Sequence, residues 1–66
     1  MTEKASRQLA KKIKQVRLHK NLSQEDVATK AGISTNYYAR VERGEVSPSI
    51  DVAEQITKAL GIKLSF

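Results

Sequence analysis

Three glycines divide this chain of 66 residues into segments with the periodicity of helices. Gly32, Gly44 and Gly61 each follow a run in which apolar residues recur at intervals of three or four positions. Glycine adopts positive φ without steric cost, so it commonly follows the last turn of a helix. The helix that ends before Gly32 spans only about two turns, so it must be stabilised by packing against its neighbours.

The first helix is predicted over about residues 3 to 20. Leu9, Ile13 and Val16 recur at i, i+4 and i+7 with basic and polar residues between them, which is typical of an amphipathic helix. Asn21 follows this segment, and asparagine tolerates the left-handed conformation better than any residue except glycine. We expect the apolar face of this helix in the core and its basic face in solvent.

The second and third predicted helices each begin at a serine that can act as an N-cap. Ser23 precedes a helix that ends before Gly32, and Ser34 precedes one that runs to about Arg43. Asp26 stands at the third helical position, where it is shorter than the glutamate of a full capping box, so the sequence signal for a capping box is partial. The sequence therefore predicts two short helices joined by a turn that contains glycine.

The third helix is expected to present polar side chains away from the core. If Tyr38, Val41 and Glu42 face inward, a rotation of about 100° per residue turns a second set of side chains outward. The opposite side then carries Asn36, Ala39, Arg40 and Arg43, and the flanks carry Thr35 and Tyr37.

A fourth helix and a short tail complete the predicted elements. The segment Ser47-Pro48-Ser49 supplies N-cap and first-turn residues for a helix that ends at Gly61. Residues 62–66 alternate between apolar and polar, which is the period of a strand. A frayed extended tail that packs on the core explains the same alternation, so both interpretations stay open.

Positive charge is concentrated at the start of the chain. The 12 lysine and arginine residues exceed the seven acidic residues, which gives a net charge of +5. Residues 1–20 contain seven of these basic residues and the single acid Glu3, so this segment alone carries +6. A face of this density is either a solvated surface or a binding surface for a polyanion, and charge alone does not separate the two.

The composition excludes most other functional classes. A chain of this length is expected to form one domain with no room for a buried active-site cavity. There is no cysteine, and His19 is the only histidine, so neither a thiolate or His-rich metal site nor a conventional catalytic triad can be assembled. No apolar run approaches the roughly 20 residues that span a bilayer, and no signal peptide is visible. We expect a soluble cytoplasmic protein without catalytic activity, cofactor or membrane contact.

Two stretches of the sequence carry a family resemblance. LSQEDVATKAGIS, from Leu22, and YARVERGEVSPSI, from Tyr38, resemble the phage repressor, Cro and xenobiotic-response-element (XRE) family of helix-turn-helix DNA-binding proteins. The likeness extends from Leu9 to Gly61. It implies an all-α, compact lambda-repressor-like domain of four to five helices that covers residues 1–66, with the helix-turn-helix at residues 23–43.

The resemblance also implies roles for particular side chains. Bases in the major groove would be read by Thr35, Asn36, Tyr37 and Arg40, whose hydroxyl, amide and guanidinium groups suit base edges. Phosphates would be contacted by Ser23, Gln24 and Arg43. Arg17 and Glu42 match positions that form a semi-buried salt bridge in several members, which would neutralise an acid on the inward face.

For some of these residues, interpretations without a DNA contact stay open. Tyr37 can instead pack on Val41, and Arg40 can simply be solvated. The basic residues Arg7, Lys11 and Lys14 on the first helix can add longer-range attraction to DNA, or they can serve solubility alone.

The function implied by the resemblance is transcriptional regulation. A homodimer that pairs through Ile62, Leu64 and Phe66 would bind a palindromic double-stranded operator as a repressor or controller, associated with the nucleoid in the cytoplasm. An antitoxin that represses its own operon, with a toxin as protein partner, is one alternative. A protein-interaction module with the same fold is another, and it would show little sequence preference in DNA.

Overall fold

The computed structural model describes residues 2–63, which form four α-helices and no strand. The helices are α1 (Glu3–His19), α2 (Gln24–Ala31), α3 (Thr35–Glu42) and α4 (Ile50–Ala59). The predicted all-α fold is confirmed, and within these residues it has four helices and not five. No helix in the described part of the chain has the length and apolar character needed to cross a membrane.

Each helix begins at a hydroxyl-bearing N-cap. The side-chain oxygens of Thr2, Ser23, Ser34 and Ser49 each accept a hydrogen bond from a backbone N–H in the first turn, at 2.9–3.1 Å. Such a cap typically stabilises a helix by about 1 kcal/mol. Four sequence-local hydrogen bonds therefore fix where the helices start.

The capping box of α2 is complete, although the sequence signal for it is only partial. The Ser23 N–H donates to Oδ2 of Asp26 at 2.9 Å, and the Asp26 N–H donates to the Ser23 hydroxyl at 2.9 Å. The extended backbone of Ser23 brings its N–H within reach of the shorter aspartate. The hydrogen bond from the Ser23 backbone also lowers the pKa of Asp26 below its ordinary value.

Left-handed residues follow all four helices. Asn21 has φ 57°, and Gly32, Gly44 and Gly61 have φ of 73° to 75°. These helix ends agree with the sequence prediction. The start of α4 differs from it, because Pro48 precedes the N-cap Ser49 and does not lie in the first turn. Pro48 is instead fully buried in the interior.

A single apolar cluster joins the four helices. α2 packs against α3 and α4, and α1 packs against the same two helices. Ala28 is completely buried, as is Val27 beside it, so α2 lies at the centre of the packing. The cluster consists of Leu9, Ile13, Val27, Ala28, Ala31, Tyr38, Val41, Ala53, Ile56 and Leu60.

The inward face of α3 is wider than the sequence predicted. Ala39 was expected on the side opposite the core, but only 8% of its surface is exposed. α3 contacts both α1 and α2, so two neighbours cover it. Ala39 lies about 60° around the helix from the buried Glu42, and its small side chain falls within this wider arc.

The predicted C-terminal tail lies mostly outside the described residues. Ile62 is half-buried against the core and Lys63 is exposed, with no strand at either position. The predictions for Leu64, Ser65 and Phe66 concern residues that the structure does not describe.

Candidate nucleic-acid interface

The corner between α2 and α3 is a tight turn that depends on Gly32. The N–H of Ile33 donates to the Ala28 carbonyl at 3.0 Å, and the N–H of Gly32 donates to the Thr29 carbonyl at 3.2 Å. A Cβ at Gly32 would meet no atom within 4 Å, so its φ of 75°, and not a lack of space, favours glycine here. This turn sets the orientation of α3 relative to α2.

Three of the four predicted base-reading residues are exposed on α3. Thr35 and Asn36 lie in its first turn, and Arg40 lies one turn after Asn36 on the same face. Tyr37 is half-buried and packs against the core cluster. The structure therefore brings Thr35, Asn36 and Arg40 together on one accessible surface and leaves only part of Tyr37 available.

The predicted phosphate contacts lie at the two ends of the helix-turn-helix. Ser23 is exposed at the start of α2, and Arg43 is exposed at the end of α3. Gln24 is only half-exposed, because its side-chain amide donates to Oε1 of Glu42 at 3.2 Å. Its backbone N–H belongs to the first turn of α2, where N–H groups have no partner within the helix.

Arg17 and Glu42 form a bidentate ion pair beneath this surface. The Arg17 Nε and Nη2 groups donate to the two carboxylate oxygens of Glu42, both at 2.8 Å. Only 11% of the Arg17 side chain and 3% of the Glu42 side chain are exposed. The pair ties α1 to α3, and Arg17 Nη1 extends the tie by donating to the Leu22 carbonyl at 3.0 Å.

The ionisation of this cluster follows from its contacts. Burial by itself raises the pKa of Glu42, but the hydrogen bonds from Arg17 and Gln24 outweigh it, and the pKa lies below its ordinary value. The hydrogen bond to Glu42 raises the pKa of Arg17. Burial, together with the neighbouring Glu42, raises the pKa of the Tyr38 hydroxyl. Glu42 is therefore a charged carboxylate at neutral pH, and Arg17 does not contribute to the free basic surface.

A basic groove runs between α1 and the end of α3. Arg7, Lys11 and Lys14 of α1, which are expected to attract DNA, lie beside Arg43 in this groove. One surface therefore contains positive charges that are far apart in the sequence. Its lining consists of Arg7, Ala10, Lys11, Lys14, Glu42, Arg43, Gly44 and Glu45.

The contacts of Glu45 with Arg40 and Arg43 were not predicted from the sequence. Its carboxylate contacts Arg43 through a hydrogen bond and lies 3.7 Å from the Nε of Arg40. The hydrogen bond from Arg43 lowers the pKa of Glu45. The only signal in the sequence is an acid two residues after Arg43 and five after Arg40, a spacing that does not predict a contact across a helix end.

Comparison with known proteins shows the family of the chain. Residues 13–66 match the family model described as helix-turn-helix. The chain belongs to the XRE-type helix-turn-helix family of DNA-binding proteins. The family resemblance carried by the LSQEDVATKAGIS and YARVERGEVSPSI stretches is thereby confirmed.

Three relatives illustrate the match. The immunity repressor of Bacillus phage phi105 is 37% identical over 57 residues, which are 86% of this chain and 40% of the repressor. An HTH-type transcriptional regulator of Methanocaldococcus jannaschii is 40% identical over 53 residues, or 80% of each protein. The control protein C.BamHI of Bacillus amyloliquefaciens is 38% identical over 64 residues, or 96% of this chain and 79% of that protein.

The chain therefore spans less than half of the phage repressor and about four fifths of the other two relatives. No solved structure matches it.

Proposed function

We propose that this protein is a transcriptional regulator, acting as a repressor or controller at the nucleoid, that binds a palindromic operator in double-stranded DNA as a homodimer. The observation that carries the proposal is the division of α3 into two faces. One face is fixed to α1 by the Arg17–Glu42 pair, and the other exposes Thr35, Asn36 and Arg40. The relatives named as a phage immunity repressor and a control protein agree with this role.

In the proposed complex, α3 enters the major groove and its exposed residues read base edges. Arg40 can donate to O6 and N7 of a guanine, and Asn36 can pair with an adenine. Thr35 can contact a thymine methyl, whereas Tyr37 contributes only the part of its ring that the core leaves exposed. Each bidentate contact supplies about 1–3 kcal/mol of discrimination against the wrong base.

Phosphate contacts on either side fix the position of α3. At one end, the Ser23 hydroxyl and the backbone N–H of Gln24 meet one strand at the start of α2, where the helix dipole favours an anion. We assign the contact of Gln24 to its backbone because its side-chain amide is held by Glu42. At the other end Arg43 meets the opposite strand, and the basic groove beside it adds attraction that weakens with salt.

A dimer follows from the small size of the reading surface. One α3 reaches only a few base pairs, so specific binding takes two copies on half-sites about 10 base pairs apart. We propose that the copies pair through the C-terminal end, with Leu64 and Phe66 as contacts. Ile62, which was also predicted for that surface, is half-buried against its own core, so we expect it to contribute less to the dimer.

The test is selection of bound duplexes from a random DNA pool at near-physiological salt. The proposal expects enrichment of a two-fold symmetric site with half-sites about 10 base pairs apart. Recovery of DNA without enrichment, bound only at low salt, would reduce the interaction to nonspecific attraction and overturn the proposal.

A further inference from the structure

Glu45 is held in a fixed place at the end of α3. Its N–H donates to the carbonyl of Arg40 at 2.9 Å, and the N–H of Gly44 donates to the Val41 carbonyl at 3.0 Å. Gly44 adopts φ 75°, which turns the chain back over the last turn of the helix. The backbone closure of α3 therefore determines where the Glu45 carboxylate can reach.

From this position Glu45 contacts two arginines at once, one with each oxygen. Oε1 lies 3.7 Å from the Nε of Arg40, and Oε2 accepts a hydrogen bond from the Nε of Arg43. All three side chains are about half-exposed, with values of 47% for Arg40, 54% for Arg43 and 47% for Glu45. The carboxylate thus links the proposed base-reading arginine to the proposed phosphate-binding arginine.

The contacts leave the outer ends of both arginines available. Glu45 engages the Nε groups, and within residues 2–63 the terminal Nη groups of Arg40 and Arg43 make no hydrogen bond to the protein. An arginine can still donate from its two terminal nitrogens to a guanine or to a phosphate. Glu45 therefore restricts the two side chains without occupying the donors that DNA would use.

We infer that Glu45 is a positioning residue that sharpens sequence discrimination by holding Arg40 and Arg43 through their Nε groups. The inference rests on the proposed function, in which these arginines meet DNA. On the operator, the held geometry suits both contacts, so little side-chain freedom is lost on binding. On other sequences Arg40 finds no matching base and must rearrange toward a phosphate, which breaks its contact with Glu45, and the negative charge of Glu45 opposes that additional phosphate.

The variant that tests the inference is Glu45→Gln, which keeps the size of the side chain and removes its charge. We expect it to bind a random-sequence duplex more tightly and the selected operator no more tightly. The affinity ratio between operator and random duplex should fall about three- to tenfold, the scale of one or two exposed ion pairs. Glu45→Asp keeps the charge and should retain part of the ratio.

The matched control is Glu54→Gln on α4, an exposed acid whose loss changes the net charge equally. It should tighten both duplexes alike and leave the ratio unchanged. The Nε–H signals of Arg40 and Arg43 in nuclear magnetic resonance spectra of the free protein should move in Glu45→Gln and stay in place in Glu54→Gln.

If Glu45→Gln keeps the wild-type ratio while the wild-type chain does prefer its operator, the positioning role is wrong and the proposed function stands. If the wild-type chain prefers no duplex at all, the proposed function fails and the inference fails with it.

Discussion

Two arginine–glutamate clusters lie near the end of α3, and they use the same chemical groups in different surroundings. The Arg17–Glu42 pair is bidentate at 2.8 Å, and its two side chains are 11% and 3% exposed. The cluster of Arg40, Arg43 and Glu45 is about half-exposed, and one of its contacts is as long as 3.7 Å. The two acids, Glu42 and Glu45, are only three positions apart in the sequence.

The comparison shows that burial determines whether an ion pair contributes to the stability of the fold. Removing one partner of a buried pair leaves an uncompensated buried charge, so the stability of the fold depends on both Arg17 and Glu42. An exposed pair contributes little to the stability of the fold, because solvent already screens its charges. The exposed terminal groups of Arg40 and Arg43 are therefore accessible for the proposed DNA contacts, whereas the guanidinium of Arg17 is buried against Glu42.

The largest expected effect is loss of the buried pair. Glu42→Ala leaves the Arg17 guanidinium buried without its partner. The substitution should lower the free energy of unfolding by about 3 kcal/mol, which is the lower end of the range for buried pairs, because the Arg17 side chain keeps 11% of its surface exposed. Urea denaturation measures it. Glu45→Ala is the matched control and should change stability much less. Equal losses in the two variants would refute the distinction between the clusters.

The next effect concerns Gly44, which lies between the two acids. Gly44→Ala meets no atom within 4 Å but must adopt φ 75°, so we expect a loss of about 1–2 kcal/mol from backbone strain alone. Gly44→Asn should lose less, because asparagine tolerates the conformation that Asn21 has at φ 57°. Thermal or urea unfolding compares the two, and identical losses would argue against a conformational cause.

How much of the fold and of the candidate site could be predicted from the sequence depends on whether each interaction is local or needs the arrangement of the helices. The four helix ends and the starts of α1 to α3 were predicted because residues such as Ser23 and Gly32 act on backbone groups a few residues away. The burial of Ala39 was not predicted, since it depends on how two other helices cross α3. The contact of Gln24 with Glu42 was missed for the same reason, since the two residues lie on different helices. The Glu45 contacts are short in sequence, and they were missed because they depend on how Gly44 at φ 75° turns the chain at the end of α3.

A smaller effect should appear when the solution is acidified. The folded-state pKa of Glu42 lies below its ordinary value of 4.5, so its contribution to stability is present above that pH and is lost as the pH falls through the folded-state pKa. Glu42→Gln should be less stable than the wild type at neutral pH, and its stability should decline less steeply on acidification. Urea unfolding at several pH values tests this, and parallel declines in the two proteins would remove Glu42 as a source of the acid sensitivity.

The smallest expected effect on stability is that of the exposed arginines. Arg40→Ala and Arg43→Ala each lose a contact to Glu45 that solvent already screens, so their unfolding midpoints should stay close to that of the wild type. Thermal unfolding of the three proteins checks it. A large loss in either variant would mean that the exposed cluster, like the buried pair, supports the fold.

The central claim is that α3 has two faces with different roles. The buried face fixes the helix to α1 and α2, and the exposed face reads DNA. The most direct test measures the affinity of the wild type, Arg40→Ala and Arg43→Ala for the selected operator and for each of its single-base-pair variants at one salt concentration. We predict that Arg40→Ala loses about 1–3 kcal/mol of preference at one base pair of each half-site, while Arg43→Ala weakens every duplex equally. Uniform weakening by both substitutions would contradict the assignment of Arg40 as the reader.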